Sequence, residues 1–154
     1  MEIRDLLTSD SVIANLRVTS KKQALQELAA AVARVTDLDE RAVFDVLMER
    51  EKLGTTGVGN GIAIPHGKLP GLDKLYGMFA RMEKPIDFQA IDEQPVDLIF
   101  LLLAPESAGA DHLKALARVS RLLRDRATCD KLRGTDNAEA LYAILSNSAD
   151  VQAA

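Results

Sequence analysis

The stretch PVDLIFLLLAP, from Pro95 to Pro105, decides the fold class of this chain of 154 residues. Between the two prolines, positions 96–103 are apolar except for Asp97. A continuous apolar run of this length is typical of a central strand, because a strand with one solvent-facing side alternates polar and apolar residues. A strand buried on both faces needs other elements above and below it, so this run predicts a layered fold.

Helical patterns lie on both sides of this strand in the sequence. Ser20 and Gln23 have the spacing of a capping box, and apolar residues follow them at helical intervals. Asp136 and Glu139 form a similar pair before the last helix. The remaining helices are predicted over 39–53, about 111–126 and 128–133. With a second strand over 75–82 and a loop over 85–94, the pattern predicts an α/β sandwich with a mixed sheet.

Composition limits the kind of protein that this chain can be. We expect a single domain over 1–148 and a flexible tail over 149–154. The net charge of -4 argues against a nucleic-acid partner, since a phosphate backbone needs a basic face, but it suits a basic protein partner. Cys129 is the only cysteine, which excludes an internal disulfide and a cysteine-based zinc site.

Charge near the N-terminus and the shortness of the apolar runs favour a cytoplasmic protein. Glu2, Arg4, Asp5 and Asp10 break the pattern of a signal peptide. The longest apolar run, 98–105, is less than half of the roughly 20 residues that span a bilayer. We therefore expect no membrane insertion.

The segment GTTGVGNGIAIPHGK, from Gly54 to Lys68, carries the strongest functional pattern. Its first four glycines predict a loop, and Pro65 stops the apolar run that follows, so we expect His66 just beyond a strand end. Backbone amides of a glycine loop can approach an anion closely, because few side chains intervene. The candidates for such contacts are Thr56, Gly57, Gly59, Asn60 and Gly61. His66 would then be a nucleophile that accepts a phosphoryl group, and the alternative is a structural loop histidine bonded to a carbonyl.

Arg50 and His112 could share a site with His66. Arg50 follows Val46 by one helical turn and extends an apolar stripe, where a guanidinium needs an anion or must reach solvent along its stem. His112 lies in the first turn of its predicted helix, where free amides attract phosphate. A histidine packed at the edge of the core has the same pattern. For both residues the alternatives stay open on the pattern alone.

Phosphoryl transfer suits these three side chains best. A histidine with a pKa of about 6.5 is mostly neutral and nucleophilic near neutral pH. Arginine binds phosphoryl oxygens through two donors, and the charge on those oxygens makes positioning and positive potential the main requirements. The glycine spacing matches neither a dinucleotide fingerprint nor a P-loop, and two histidines make a weak metal site. No cofactor and no metal are expected.

Three segments together resemble the enzyme IIA family of bacterial phosphoenolpyruvate-dependent phosphotransferase systems, in its fructose/mannitol type. They are MEREKLGTTGVGNGIAIPHGKL at 48–69, PVDLIFLLLAP at 95–105 and DHLKALARVSRLLRD at 111–125. The resemblance covers nearly the whole chain and favours the nitrogen-regulatory branch. Glu93 departs from the pattern, because the family often has glycine or another small residue there.

The resemblance implies a fold and a role for each candidate. It implies a mixed, mostly parallel sheet flanked by helices on both faces. His66 matches the phosphorylated histidine, Arg50 the phosphate-binding arginine and His112 a second active-site histidine. The implied donor is a histidine-phosphorylated carrier protein of the HPr or NPr kind. In the nitrogen-regulatory branch the output is binding of regulatory targets, such as potassium transporters and sensor kinases, according to phosphorylation state.

Two alternative functions stay open at this point. A sugar-specific enzyme IIA would pass the phosphate to a IIB component. A non-catalytic interaction module would keep the fold and bind targets without turning over phosphate, although the joint presence of the three side chains argues against it. For a carrier we expect an apolar docking face around the histidine that includes side chains from the loops near Met78, Phe88 and Leu113.

Overall fold

The computed structural model describes residues 2–153, with side chains as far as Asn147. Its helices are α1 (Ile3–Leu6), α2 (Lys21–Val35), α3 (Glu40–Lys52), α4 (Ala110–Arg124), α5 (Arg126–Arg133) and α6 (Ala138–Ala153). Its strands are β1 (Val12–Leu16), β2 (Gly57–Gly59), β3 (Ile62–Ala63), β4 (His66–Leu69), β5 (Tyr76–Ile86) and β6 (Val96–Pro105). Within the described range, no helix is long and apolar enough to cross a membrane.

All six of these strands form one sheet with β6 at its centre. On one side β6 pairs antiparallel with β5, which in turn pairs parallel with β1. On the other side it pairs parallel with β3 and β4, which lie end to end, and β2 forms the edge beyond β3. Three of the five pairings between the described strands are parallel, so the predicted mixed sheet is confirmed.

Helices cover both faces of β6, as its apolar run predicted. Alternate residues of a strand point to opposite faces, and here each set enters a separate core. Ile99 and Leu101 pack in the core that contains α2 and α3, whereas Leu98 and Phe100 pack in the core that contains α1, α4, α5 and α6. All four side chains are fully buried. The three-layer α/β sandwich is therefore confirmed.

The caps of the first and last long helices differ from the predicted ones. The Ser20 side chain accepts a hydrogen bond of 3.1 Å from the Gln23 amide, as a cap should. The Gln23 side chain, however, accepts from the amide of Thr19, so the predicted box does not close on Ser20. For α6 the predicted cap was wrong by one residue, because Asn137 and not Asp136 accepts from the backbone of the first turn.

Other helix and strand boundaries also differ from the predicted ones. The predicted helix over 111–126 ends at Arg124, because the side chain of Asp125 accepts from the Thr128 amide and caps α5 instead. Strand β5 continues to Ile86, into the predicted loop, and β1 was not predicted. The flexible tail over 149–154 stays a prediction: the backbone is helical as far as Ala153, and residue 154 lies outside the described residues.

Glu93, which departs from the family pattern, lies in the loop before β6 with φ of 62°. This is the left-handed region, where a glycine is unstrained and a residue with a Cβ atom is not. The backbone thus gives a physical reason for the glycine that the family often has at this position.

Candidate active site

The sequence predicted that His66 lies just beyond a strand end, and this prediction was wrong. His66 is the first residue of β4, which pairs with the central strand. Ile62 lies opposite Leu98 and His66 opposite Leu102, so β3 and β4 keep one register along β6. Pro65 removes a single N–H donor, while its carbonyl oxygen still accepts a bond of 2.9 Å from the Leu102 amide. The proline therefore interrupts the strand without ending it, and His66 is anchored against the central strand.

Hydrogen bonds at both ring nitrogens define the tautomer of His66. Nδ1 lies 2.8 Å from the carbonyl oxygen of Ile64, which can only accept, so Nδ1 carries the proton. Nε2 then has the free electron pair and accepts a bond of 3.3 Å from the Nε–H group of Arg50. The half-buried ring thus presents a neutral, nucleophilic Nε2 atom to the site.

Arg50 lies near the C-terminal end of α3, with its guanidinium held at the imidazole. Its Nη1–H group donates to the carbonyl oxygen of Gly54 at 2.8 Å. No carboxylate in the described part of the chain forms an ion pair with it, and the neighbouring Glu51 pairs with Lys21 instead. A snorkelling arginine does not fit this geometry, because the head group is directed at His66. The result is an uncompensated cation one hydrogen bond away from a nucleophile.

His112 lies in the first turn of α4, as predicted, and packs edge-on against His66. The two ring centroids are 5.7 Å apart, with an angle of 83° between the ring planes. His112 is only 7% exposed, and its Nε2 atom is buried without a hydrogen-bond partner among the described residues. Since buried polar atoms are normally bonded, an unpartnered ring nitrogen beside a nucleophile is a feature of a functional site rather than of a core.

Both imidazoles are held in the neutral form. Burial is the largest cause that lowers the pKa of His66 below its ordinary value of 6.5, and the charge of Arg50 adds to it against opposing effects of the Ile64 bond and Glu51. Burial is also the largest cause that lowers the pKa of His112, and a positive charge on His66, when it is protonated, and the charge of Lys68 act in the same direction. Two neutral rings next to one guanidinium leave an electron pair available for attack and a positive potential for an anion.

Gly67 sets how closely α3 approaches the strand that carries His66. A Cβ atom at this position would overlap Cγ1 of Val46, far inside van der Waals contact. Val46 lies one helical turn before Arg50, so this close approach brings the guanidinium within reach of the imidazole. The sequence interpretation treated Gly67 only as part of a strand stop. Its position next to His66 was the available indication, but the facing residue on α3 is visible only in three dimensions.

Known proteins are similar in sequence to this chain over nearly its whole length. Residues 5–148 match the family described as phosphoenolpyruvate-dependent sugar phosphotransferase system, EIIA 2. The chain belongs to this enzyme IIA family. A nitrogen regulatory protein of Bradyrhizobium diazoefficiens is 62% identical to it over 146 residues, which cover 95% of each chain.

Solved structures of enzyme IIA proteins have the same architecture. The nitrogen regulatory protein IIA-Ntr from Neisseria meningitidis gives a TM-score of 0.87 at 37% identity, covering 93% of this chain and 98% of that one. Mannitol enzyme IIA from Escherichia coli, solved in complex with phosphorylated mannitol enzyme IIB, gives a TM-score of 0.76 at 17% identity, covering 92% and 97%. The second likeness concerns the fold alone. The predicted resemblance to the enzyme IIA family and its nitrogen-regulatory members is confirmed.

Thr56 does not direct its donors toward the imidazoles of this enzyme IIA domain, contrary to expectation. Its amide donates to Oε1 of Glu51 at 3.1 Å, and its hydroxyl donates to Oε2 of the same side chain. Glu51 is 9% exposed and also pairs with Nζ of Lys21 at 2.7 Å. This buried carboxylate ties the end of α3 to the following loop. The sequence interpretation missed Glu51 and Lys21, because charged side chains on helices are usually solvated.

The turn at 59–61 also lies apart from the imidazoles, which corrects the expectation of one phosphate-binding glycine loop in this enzyme IIA domain. It precedes β3, whereas His66 follows β3 at the other end of the sheet. The amide of Asn60 donates to Asp92 at 2.9 Å, and the carbonyl oxygen of Asn60 accepts from Arg133 at 2.6 Å. Gly59 and Gly61 adopt φ of 105° and 81°, which a turn of this shape requires.

Gly57 is a packing residue at the sheet edge. A Cβ atom there would come within 2.9 Å of the backbone of Ala90, and the Gly57 carbonyl oxygen accepts from the Ile91 amide at 3.1 Å. The glycine therefore lets the loop before β6 lie directly on β2. The structure groups the glycines 57, 59 and 61 with this loop and this edge, and not with His66.

The docking face of the enzyme IIA domain was expected to include side chains from the loops near Met78, Phe88 and Leu113, and only the last of these three residues is itself exposed. Met78 and Phe88 are fully buried and cannot touch a partner. Leu113 is 69% exposed and follows His112 directly, and Leu53, which was not predicted, is 85% exposed three residues beyond Arg50. Two exposed leucines therefore belong to the segments that carry the site.

Proposed function

We propose that this chain is a histidine phosphocarrier of a phosphoenolpyruvate-dependent phosphotransferase system. His66 would accept a phosphoryl group from a phosphorylated histidine of an HPr- or NPr-type carrier. The phosphorylation state would then regulate nitrogen- or potassium-related target proteins. One observation carries the proposal: the uncompensated guanidinium of Arg50 lies 3.3 Å from an Nε2 atom whose tautomer suits nucleophilic attack.

The proposed transfer exchanges one phosphorus–nitrogen bond for another. The electron pair on Nε2 of His66 forms the new bond to phosphorus, and the electron pair of the breaking bond returns to the ring nitrogen of the donor histidine. Nδ1 of His66 keeps its proton throughout. Its bond to the Ile64 carbonyl oxygen stabilises the positive charge that the ring gains on attack. The step needs no further acid or base.

Arg50 is suited to follow the phosphoryl group. Before transfer it donates to Nε2 of His66, and after transfer the same N–H groups can donate to phosphoryl oxygens. Its full charge is available, because the nearby carboxylate of Glu51 is already bonded to Lys21. Positive potential at the transferred oxygens is the main contribution that a protein makes to this chemistry. His112 would supply a second ring nitrogen at the same place.

The names of relatives support a regulatory output. A protein 62% identical to this one is called a nitrogen regulatory protein. A phosphoryl group on His66 would add about two negative charges to the surface next to the exposed Leu53 and Leu113. A target such as a potassium transporter or a sensor kinase would therefore bind the two states with different affinity.

A second candidate function is a sugar-specific enzyme IIA that passes its phosphate to a IIB component. The fold shared with mannitol enzyme IIA, which was solved in complex with phosphorylated enzyme IIB, supports this candidate. A fructose-specific EIIA component of Haloferax volcanii, 40% identical over 122 residues, supports it as well. The nitrogen regulatory protein of Bradyrhizobium diazoefficiens is 62% identical over 146 residues, so the regulatory function is the better supported of the two.

Labelling with phosphoenolpyruvate, enzyme I and the carrier protein tests the proposal. We expect the wild-type chain to take up one acid-labile phosphate and His66→Ala to take up none, because the nucleophile is gone. A variant that still labels would identify another acceptor and overturn the assignment. A wild-type chain that never labels, yet binds the same targets as the variant, would be an interaction module. Rapid discharge of the labelled chain by a IIB component would favour the sugar-specific function.

A further inference from the structure

A cleft of about 370 Å³ opens at the end of the sheet remote from His66. It lies between the turn before β3, Pro85 near the end of β5, Pro95 just before β6, and the junction of α4 with α5. Ile62 at this end faces Leu98 of β6, whereas His66 faces Leu102. Four residues of strand separate the two levels, about 13 Å at the usual rise. The cleft is thus distinct from the phosphoryl-acceptor site.

Three arginines and one carboxylate line this cleft. Arg133 donates to Asp97 at 2.8 Å and to the Asn60 carbonyl oxygen, so its charge is compensated. The side chains of Arg124 and Arg126 form no ion pair and no hydrogen bond with any other residue in the described range. A protein with a net charge of -4 therefore concentrates two uncompensated guanidinium groups at one concave place.

The local carboxylate does not neutralise these two arginines. Asp125, which lies between them in the sequence, directs its side chain to the amide and hydroxyl of Thr128 and caps α5. Arg126 opens α5, where the helix dipole is positive, so its own position is electrostatically unfavourable. Both facts leave a positive potential in the cleft that an anion would relieve.

Apolar side chains form the floor of the cleft. Ile62, Leu123 and Cys129 are all at most 4% exposed and line it together with Pro85 and Pro95. Burial raises the pKa of the Cys129 thiol, so this side chain contributes apolar contact and no charge. A purely inorganic anion would leave this floor without a partner. An organic group attached to the anion would cover it.

We propose that this cleft binds a small organic phosphate, with the phosphate held by Arg124 and Arg126 and the organic group on the apolar floor. Arginine is the side chain best suited to phosphate, because its planar fork donates two parallel hydrogen bonds. The volume of 370 Å³ falls in the range of about 300–1,000 Å³ that is typical of small-molecule pockets. An acidic peptide segment fits a concave pocket of this size less well than a compact ligand does.

Backbone NMR titration of the full chain tests this site. The probes are adenosine monophosphate and glucose 6-phosphate, with inorganic phosphate, adenosine and a hexaglutamate peptide for comparison. We expect at least one organic phosphate to shift the amides of Gly61 and Cys129. The double variant Arg124→Gln/Arg126→Gln should weaken that binding by about tenfold or more, since it removes charge-assisted hydrogen bonds. Arg121→Gln, an exposed arginine of the same helix outside the cleft, is the matched control.

Each alternative outcome of this titration overturns the proposal. If neither organic phosphate shifts these amides at millimolar concentration, the cleft is not a ligand site. Shifts confined to the amides around His66 would place phosphate binding at the acceptor site alone. Inorganic phosphate binding as tightly as the organic probes would remove the role of the apolar floor, and tighter binding of hexaglutamate would indicate a protein partner. If the double variant and Arg121→Gln bind the organic phosphate with equal affinity, Arg124 and Arg126 do not hold the phosphate.

Discussion

Arg50 and Arg133 lie toward opposite ends of the same sheet and differ in how their charge is met. Arg133 bonds Asp97 at 2.8 Å and the Asn60 carbonyl oxygen at 2.6 Å, and its own carbonyl oxygen accepts from Arg81. Arg50 bonds only neutral acceptors, the Gly54 carbonyl oxygen and Nε2 of a histidine. The first arginine joins elements of the fold, and the second has its charge free for a ligand.

The same contrast separates the two halves of the glycine-rich segment. The half around Asn60 is committed to the bonds that hold the sheet edge together, with Asp92 on its amide. In the half around His66, one ring nitrogen has a free electron pair, and α3 packs directly against Gly67. Both halves contain glycine, and an arginine from elsewhere in the chain contacts each of them, Arg50 at His66 and Arg133 at Asn60. Residue types alone therefore do not tell a structural turn from a site.

Removing each arginine in turn is the strongest test of this comparison. Arg50→Gln should slow phosphoryl transfer by about 10²–10³-fold, because it removes the positive charge aimed at the phosphoryl oxygens. Arg133→Gln should leave the transfer rate within a few-fold of wild type and lower the free energy of unfolding by about 1–3 kcal/mol, since it breaks a charge-assisted hydrogen bond. Transfer rates from the labelled carrier and urea unfolding give the two readouts. Equal transfer by both variants would remove the distinction between the two arginines.

Gly67→Ala sharpens the comparison at the contact that positions Arg50. The added Cβ atom would overlap Cγ1 of Val46, so we expect α3 to move away from β4. We expect a loss of about 1–3 kcal/mol in stability, as for other overpacked sites, together with slower phosphoryl transfer.

The double variant Gly67→Ala/Val46→Ala provides the control. Without Cγ1, the nearest Val46 atoms would lie 3.7 Å and 3.9 Å from the new Cβ, which is ordinary contact. Transfer should therefore recover in part in the double variant. A rate as low in the double variant as in Gly67→Ala would show that helix spacing does not control the position of Arg50.

The pH dependence of His66 should show the smallest effect. Because the pKa of His66 is lowered from 6.5, its NMR titration midpoint should fall below that value. Arg50→Gln should raise the midpoint, since the charge of Arg50 lowers the pKa of His66 in the wild-type chain. Arg41→Gln, an exposed change on the same helix, should not move it. A midpoint that is unchanged in Arg50→Gln would contradict the assigned electrostatic effect.

The lowered pKa values of the two histidines also make the free energy of unfolding depend on pH. His66 and His112 both bind protons more weakly in the folded chain than in the unfolded one. Their contribution to stability is therefore fully present above pH 6.5 and is lost as the pH falls through the lowered folded-state pKa values. The change in the free energy of unfolding between pH 7 and pH 5 should be smaller in His112→Gln than in wild type.

Local patterns predicted most of the fold because they depend on neighbouring residues. The burial of Ile99 and Leu101 on one face and Leu98 on the other was visible in the apolar run. The interruption at Pro65 was visible as well, but its effect was not. Whether a proline ends a strand depends on its hydrogen bonds to the neighbouring strand. Here the partner is Leu102, which lies far from Pro65 in the sequence.

The sequence by itself determined a layered α/β domain and three candidate side chains, Arg50, His66 and His112. The tertiary structure alone decided that these three meet, with His66 and His112 ring centroids 5.7 Å apart, and that the Asn60 turn does not join them. Periodicity and turn chemistry act over a few residues, so a sequence displays them directly. Charge compensation and close packing act across pairs such as Asp97 with Arg133, which only the folded chain brings together.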